Sequence, residues 1–324
     1  MFLKTHKCGS STVQNILLRF AYSNNLTLAL PEELNYLGDP ASKFRADLLP
    51  PRLVPPGGKV DVFALHARLD VRESLKVLHQ DALWITIVRN PVDVFESLYA
   101  YYDLREIYRL DVNDFKFMPM SVNDSLLKLP RASDLLGKNQ MLFDLGFPDD
   151  LPEARLRQAI EGTDRLFDLV MVAERMDESL VLLRHLLCWS LHDVVVFAKN
   201  ARRKGVRPAL DAHTRRTLRE LNGADARLYE HFLAKHRRAV IDFGVRRMAR
   251  EVAALRGLRA RYFRECNVVE VKGDEPFFQF REYSGLVSSY VTAETANQTC
   301  LLLCLPETPL VDLVRERQLR VGGP

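Results

Sequence analysis

The sequence predicts an α/β fold in three layers, a central parallel sheet with helices packed over it. Two observations carry that expectation. Short apolar runs at 60–65, 83–88 and 167–172 read as buried strands, and each is followed by a segment whose apolar residues recur at helical spacing. That βα alternation is the signature of parallel strands joined by crossover helices. A composition of 47% hydrophobic and 27% charged residues is ordinary for a globular protein and excludes disordered or collagenous classes.

Met1 to Leu3 form a short apolar start, Lys4 to Gly9 a polar loop, and Ser10 to Tyr22 a helix with Val13, Ile16, Leu17 and Phe20 on one face. Residues 31–58 hold nine prolines and glycines, dense enough to exclude regular structure, which predicts a surface excursion. Val60 to Leu65 then reads as a strand, Val71 to His79 as a helix, and Leu83 to Val88 as a strand. Pro91 opens the next helix at its favoured first-turn position, with Val94, Phe95 and Leu98 as its apolar face.

Beyond a variable stretch at 106–132, Asp134 to Phe143 and Glu153 to Glu161 read as helical, Phe167 to Val172 as a strand, and Asp177 to Cys188 as a helix. From Asp211 to Arg264 apolar residues such as Leu218, Leu228, Phe232 and Leu255 oppose many arginines, predicting a helical flank. The tail after Cys266 has no stable period and is expected to be irregular. The expected organisation is one elaborated domain over 1–265 and a C-terminal extension over 266–324.

A formal charge of +4 over 324 residues suits a phosphorylated ligand and is too small for a nucleic-acid surface. No apolar run of about eighteen residues is present, so the chain reads as soluble. Because Met1 falls on the first core strand, a truncated N-terminus is expected. Five cysteines, Cys8, Cys188, Cys266, Cys300 and Cys304, lack zinc-site spacing, and Cys266 can pair with Cys300 or Cys304 in an oxidising compartment. Sequons at Asn25, Asn123 and Asn297 point the same way.

Two segments carry the chemistry. In Lys4-Thr5-His6-Lys7-Cys8-Gly9-Ser10-Ser11-Thr12 the loop between strand and helix aims free backbone N–H groups and the helix dipole at one point, which suits an anion. Lys7 adds a charge, Ser10, Ser11 and Thr12 add hydroxyls, and Gly9 permits close approach. A nucleoside-triphosphate loop places its lysine after the second glycine. Here Lys7 precedes Gly9, so a kinase-class phosphotransferase is the poorer reading. In the second segment, Ile85 to Ser97, Arg89 ends a strand where a guanidinium grips phosphate in a bidentate fork, and Ser97 lies two turns into the following helix.

Together these segments resemble the 5′-phosphosulfate and 3′-phosphate motifs of sulfotransferases that use 3′-phosphoadenosine 5′-phosphosulfate (PAPS), and most nearly those of the galactose-3-O-sulfotransferase family. FLKTHKCGSSTVQNILLRF and RNPVDVFESLYAYY carry the likeness, joined by NQMLFDLGF at 139–147, the segment 173–203 and RMAREVAALR at 247–256. The resemblance implies a P-loop-like domain in which Lys7, Gly9, Ser10, Ser11 and Thr12 bind the 5′-phosphosulfate, and Arg89 and Ser97 the 3′-phosphate. Cys8 and Asn90 depart from the pattern without removing a charged donor.

It further implies a Golgi-lumenal, membrane-anchored glycoprotein, its anchor outside this chain, that sulfates the 3-hydroxyl of a terminal β-galactose on a galactosylceramide-like glycolipid or a glycan and releases PAP. A member that binds nucleotide or glycan without turnover is the second alternative. No metal is required. Lys7 is expected to stabilise charge on the leaving group, and His66, at the end of its strand, to take the acceptor's proton. His6 ranks second as base, and Arg202, Arg203 and Lys204 form a basic cluster suited to closing over phosphate.

Overall fold

The computed structural model describes residues 1–39, 42–121, 137–148, 150–199, 209–273, 287–293 and 295–321. Its centre is a parallel sheet of three short strands, β1 (Phe2–Leu3), β2 (Ile85–Val88) and β3 (Leu169–Val172), in that spatial order. Phe2 lies opposite Ile85, and Ile85 to Val88 lie opposite Leu169 to Val172. All four residues of β2 are buried, as a middle strand covered on both faces requires.

Helices account for most of the rest. In chain order they are α1 (Ser10–Ser23), α2 (Val71–Val77), α3 (Pro91–Tyr101), α4 (Leu104–Tyr108), α5 (Gln140–Asp144), α6 (Glu153–Leu166), α7 (Met176–Leu186), α8 (Ala212–Leu221), α9 (Gly223–Phe243), α10 (Val245–Glu265), α11 (Gln298–Cys304) and α12 (Glu307–Val321). α7 and α9 pack on β3, and α12 packs on α1. The fold is therefore mixed α/β but mostly helical, with a smaller sheet than the sequence predicts.

The difference lies at 60–65, where no strand forms. With only two residues, β1 offers this segment one bond, Phe2 N–H to the Phe63 carbonyl at 2.7 Å. Its other backbone groups turn elsewhere: Val60 donates to Val77, Val62 donates to Thr27 and accepts from Ala29, and just beyond the segment Leu37 and Phe44 of the Pro-rich stretch donate to His66 and Arg68. These are single bridges, Leu28 with Val62, Tyr36 with His66 and Lys43 with Arg68, rather than a ladder. Nor is that stretch a surface excursion, because Leu37, Phe44, Leu49 and Leu53 are buried in the core. Proline prevents continuous pairing by removing N–H donors, yet does not prevent burial.

The described residues of the tail are not irregular either. β4 (Val269–Lys272) and β5 (Ser288–Val291) pair antiparallel, and α11 and α12 follow. Leu310, Val311 and Val314 of α12 are fully buried, each worth roughly 1.5–3 kcal/mol of apolar transfer. Arg315 donates to the carbonyls of Pro31 and Leu34, Arg317 to those of Ala21, Tyr22 and Leu26, and Gln318 bonds both backbone groups of Leu28. Cys300 is the residue that pairs with Cys266, tying α11 to the end of α10.

The helical flank follows its prediction, with Leu218, Leu221, Leu228, Phe232, Met248 and Leu255 buried. The N-terminus of α9 also pins α5. Asp225 accepts from the N–H groups of Met141 and Leu142 at 2.9 Å each, and Asn222 accepts from Asn139 N–H at 2.9 Å. No described helix is long and apolar enough to cross a membrane.

Candidate active site

The loop between β1 and α1 is built by its own side chains. Thr5 Oγ1 donates to the Ile87 carbonyl of β2 at 2.6 Å, and Ser10 Oγ donates back to the Thr5 carbonyl at 2.6 Å. Cys8 is fully buried, its thiol on the His6 carbonyl and its pKa pushed up by that burial. Lys7 and Gly9 both take left-handed backbone conformations, φ 55° and 77°. A Cβ added to Gly9 would stand 3.2 Å from the flexible end of Met176, so at that position it is the positive φ that favours glycine.

The two predicted phosphate motifs meet directly. Arg89 Nη1 donates to the Lys7 carbonyl at 2.7 Å, and the Arg89 N–H points at Met141 Sδ at 3.4 Å. Lys7 Nζ sits 3.3 Å from the centre of the Tyr101 ring at the end of α3, a cation–π contact. Asn90 caps α3 by accepting from Val92 N–H, and Ser97 is buried on the same helix. Thr12 Oγ1 accepts from the Lys199 N–H at 3.1 Å.

The two histidines lie face to face. His66 stacks on His6 with ring centres 4.5 Å apart and on Tyr36 at 4.7 Å. His6 is held at three points: its N–H donates to Asp144 Oδ2 at 2.7 Å, Nδ1 meets Asp144 Oδ1 at 2.9 Å, and Nε2 meets the Tyr36 hydroxyl at 2.9 Å. His66 is different, since its buried Nδ1 has no hydrogen-bond partner. Burial, then the charges of Lys4, His6 and Lys7, lower the His66 pKa well below its ordinary value, leaving a neutral imidazole at pH 7.

A carboxylate also belongs here. Glu307, at the start of α12, pairs with the buried Lys4, accepts from Ser11 Oγ at 2.9 Å and from Asn35 Nδ2 at 2.6 Å. Lys4, Ser11, Asn35 and Glu307 therefore form a connected polar layer at the two ends of the loop. Sequence reasoning did not find Asp144, Tyr36 or Glu307. For Asp144 a signal existed, its place in the 139–147 motif, whereas Tyr36 and Glu307 lie in segments read as irregular. Arg202, Arg203 and Lys204 fall outside the described residues. Among the described residues no cluster of three His, Cys, Asp or Glu groups is arranged to hold a metal ion.

This chain is similar to known proteins over most of its length. Residues 1–275 match the family model described as galactose-3-O-sulfotransferase. Galactose-3-O-sulfotransferase 3 of Bos taurus is 34% identical over 99% of this chain and 79% of its own length. Galactosylceramide sulfotransferase of Bos taurus is 37% identical over 82% of this chain, and galactose-3-O-sulfotransferase 2 of Homo sapiens 38% over 80%. Those two matches cover 63% and 65% of the relatives' lengths, under two thirds.

Proposed function

The chain belongs to the galactose-3-O-sulfotransferase family, and on that premise we propose that it moves a sulfuryl group from PAPS to the 3-hydroxyl of a terminal β-galactose. The observation that carries the proposal is the junction of the two motifs, Arg89 on the carbonyl of Lys7 beside the left-handed turn at Gly9. An anion-seeking loop and a phosphate-gripping arginine thus share one place at the end of β1 and β2. The residues fit an anionic donor. Lys7 and the Arg89 guanidinium bring two positive charges to the start of α1, where the helix dipole also favours an anion.

In this reading the donor supplies the sulfuryl group and departs as PAP. Lys7, Gly9, Ser10, Ser11 and Thr12 hold its 5′ end, chiefly through the N–H groups at the start of α1, although the Thr12 N–H also donates to the Gly9 carbonyl at 3.1 Å. Arg89 and Ser97 hold the 3′-phosphate. Lys7 opposes the negative charge that grows on the departing oxygen. His66 takes the acceptor's proton: it is neutral, and its Nδ1 is unpartnered. His6, fixed by Asp144 and Tyr36, orients the stacked His66 ring. The acceptor is a galactose-terminated glycolipid or glycan, and a Golgi-lumenal setting agrees with the Cys266–Cys300 disulfide.

The test is transfer of radiolabelled sulfate from PAPS to galactosylceramide, lactosylceramide and a galactose-terminated glycan, with wild type and Lys7→Ala in parallel. Labelled product that disappears with Lys7→Ala is the expected result, and the rank of acceptors then settles the glycolipid question. Absence of PAPS binding by folded wild type would overturn the proposal.

A further inference from the structure

Glu307 stands 303 residues from Lys4 and beyond the 1–275 segment that matches the family, yet it is the hub of the polar layer at the two ends of the donor loop. Its carboxylate receives donors from three separate parts of the chain. Lys4 follows β1 and has a side chain with 0% exposure, Ser11 lies in the first turn of α1, and Asn35 comes from the stretch that bridges to His66. These are the two ends of the loop and the wall beside it.

Three physical points decide what such a carboxylate does. Burial acts to raise the Glu307 pKa, but the Lys4 charge and the bonds from Lys4, Asn35 and Ser11 outweigh it and hold the carboxyl below its usual range. An acid so firmly ionised is a poor proton acceptor, which sets Glu307 apart from His66. Second, Lys4 is spent on Glu307, so its charge is neutralised rather than offered to a ligand. Third, Glu307 is delivered by a rigid element. α12 is stitched to Pro31, Leu34, Ala21 and Leu28 through Arg315, Arg317 and Gln318, and its Leu310 and Val311 are fully buried.

We propose that Glu307 is a positioning residue for the donor loop, and that α12 is part of the sulfuryl-transfer unit rather than an appendage to it. Bridging Lys4 to Ser11 fixes the separation of the loop's two ends, and so fixes where the first-turn N–H groups point. The inference rests on the reading of that loop as the PAPS 5′ site.

Glu307→Gln keeps the shape and removes the charge. It is expected to raise the dissociation constant for PAPS and for adenosine 5′-phosphosulfate alike, by about tenfold or more, the scale of a lost charged hydrogen bond. The rate at saturating donor is expected to stay near wild type. A merely structural role would lower the active fraction without that split. Lys4→Met combined with Glu307→Met removes both charges and leaves no buried ion, so it preserves folding if the single variant does not. The same loss of donor affinity is expected there. Wild type that binds PAPS, with either folded variant binding it equally well, would overturn the inference alone. Wild type that fails to bind PAPS would overturn the donor-site reading and the inference with it.

Discussion

Arg89 reaches across 82 residues to donate to the carbonyl of Lys7 at 2.7 Å, so the arginine assigned to the 3′-phosphate also braces the loop assigned to the 5′ end. One guanidinium has five donors in a planar fork, enough for both tasks. Arg89→Ala is therefore expected to weaken both PAPS and adenosine 5′-phosphosulfate, the first more. The excess is the 3′-phosphate contact, about tenfold or greater for a charged hydrogen bond. Titration calorimetry with both nucleotides measures it. Equal losses would reduce Arg89 to a brace for the loop and remove the 3′-phosphate assignment.

For His66→Ala the expectation is the reverse pattern. Donor affinity is retained because His66 is stacked behind the loop, on His6 and Tyr36. Turnover is expected to fall by roughly 10²–10⁴, the usual worth of a general base. A base must be neutral to act, and burial and nearby cations push the His66 pKa down. The acid limb of kcat/KM in wild type is thus expected below the ordinary histidine value of about 6.5. A near-normal rate in the variant would remove His66 from the proton transfer.

The parts of this site that could be read in sequence are those whose chemistry is local. A strand, a loop with Lys7 and Gly9, and a helix opening on Ser10 lie within a dozen residues, and Arg89-Asn90-Pro91 is equally compact. Those elements form where expected because propensity, capping and periodicity all act at short range. What the sequence did not show are partners at long range: Asp144 is 138 residues from His6, and Glu307 is 296 from Ser11. Nothing beside Glu307 marks it, since Pro306 and Pro309 interrupt the local pattern and α11 is too short to display a period. The strand expected at 60–65 failed for a related reason. Its apolar run is buried as predicted, but pairing depends on a neighbour, and β1 is only two residues long.

The disulfide makes a claim about stability and about thiol counting. Closing a loop between Cys266 and Cys300, 34 residues apart, is worth about 4 kcal/mol on the chain-entropy scale. Cys266→Ser is expected to lower the unfolding free energy by roughly 2–4 kcal/mol in oxidising buffer, read by chemical denaturation. Of the three free thiols, Cys188 is exposed, whereas Cys8 and Cys304 are buried, and burial raises the Cys304 pKa to about 11. Native protein is accordingly expected to take up one alkylating group, at Cys188. Rapid labelling of Cys300 or Cys266 in unreduced protein would contradict the bond.

His236 sets a pH dependence of stability that is separate from catalysis. It is buried on α9, with Nε2 3.1 Å from Ser179 Oγ, and Ser179 in turn bonds both backbone groups of Val172 at the end of β3. Burial, then the charge of Arg175, lowers its pKa to about 4. The unfolded chain binds this proton near pH 6.5, the folded chain only near pH 4, so acid favours unfolding over that window. The stability contributed by neutral His236 is full above about pH 6.5, erodes as pH falls, and is gone below about pH 4, on the order of 3 kcal/mol in all. His236→Gln retains a polar side chain with nothing to titrate. Denaturation curves at pH 7.5 and 4.5 are expected to show a smaller acid loss in the variant than in wild type, by roughly 2 kcal/mol. Identical acid losses would show that the folded and unfolded chains bind this proton alike, and that His236 is not the group whose burial makes the sheet–helix junction acid-sensitive.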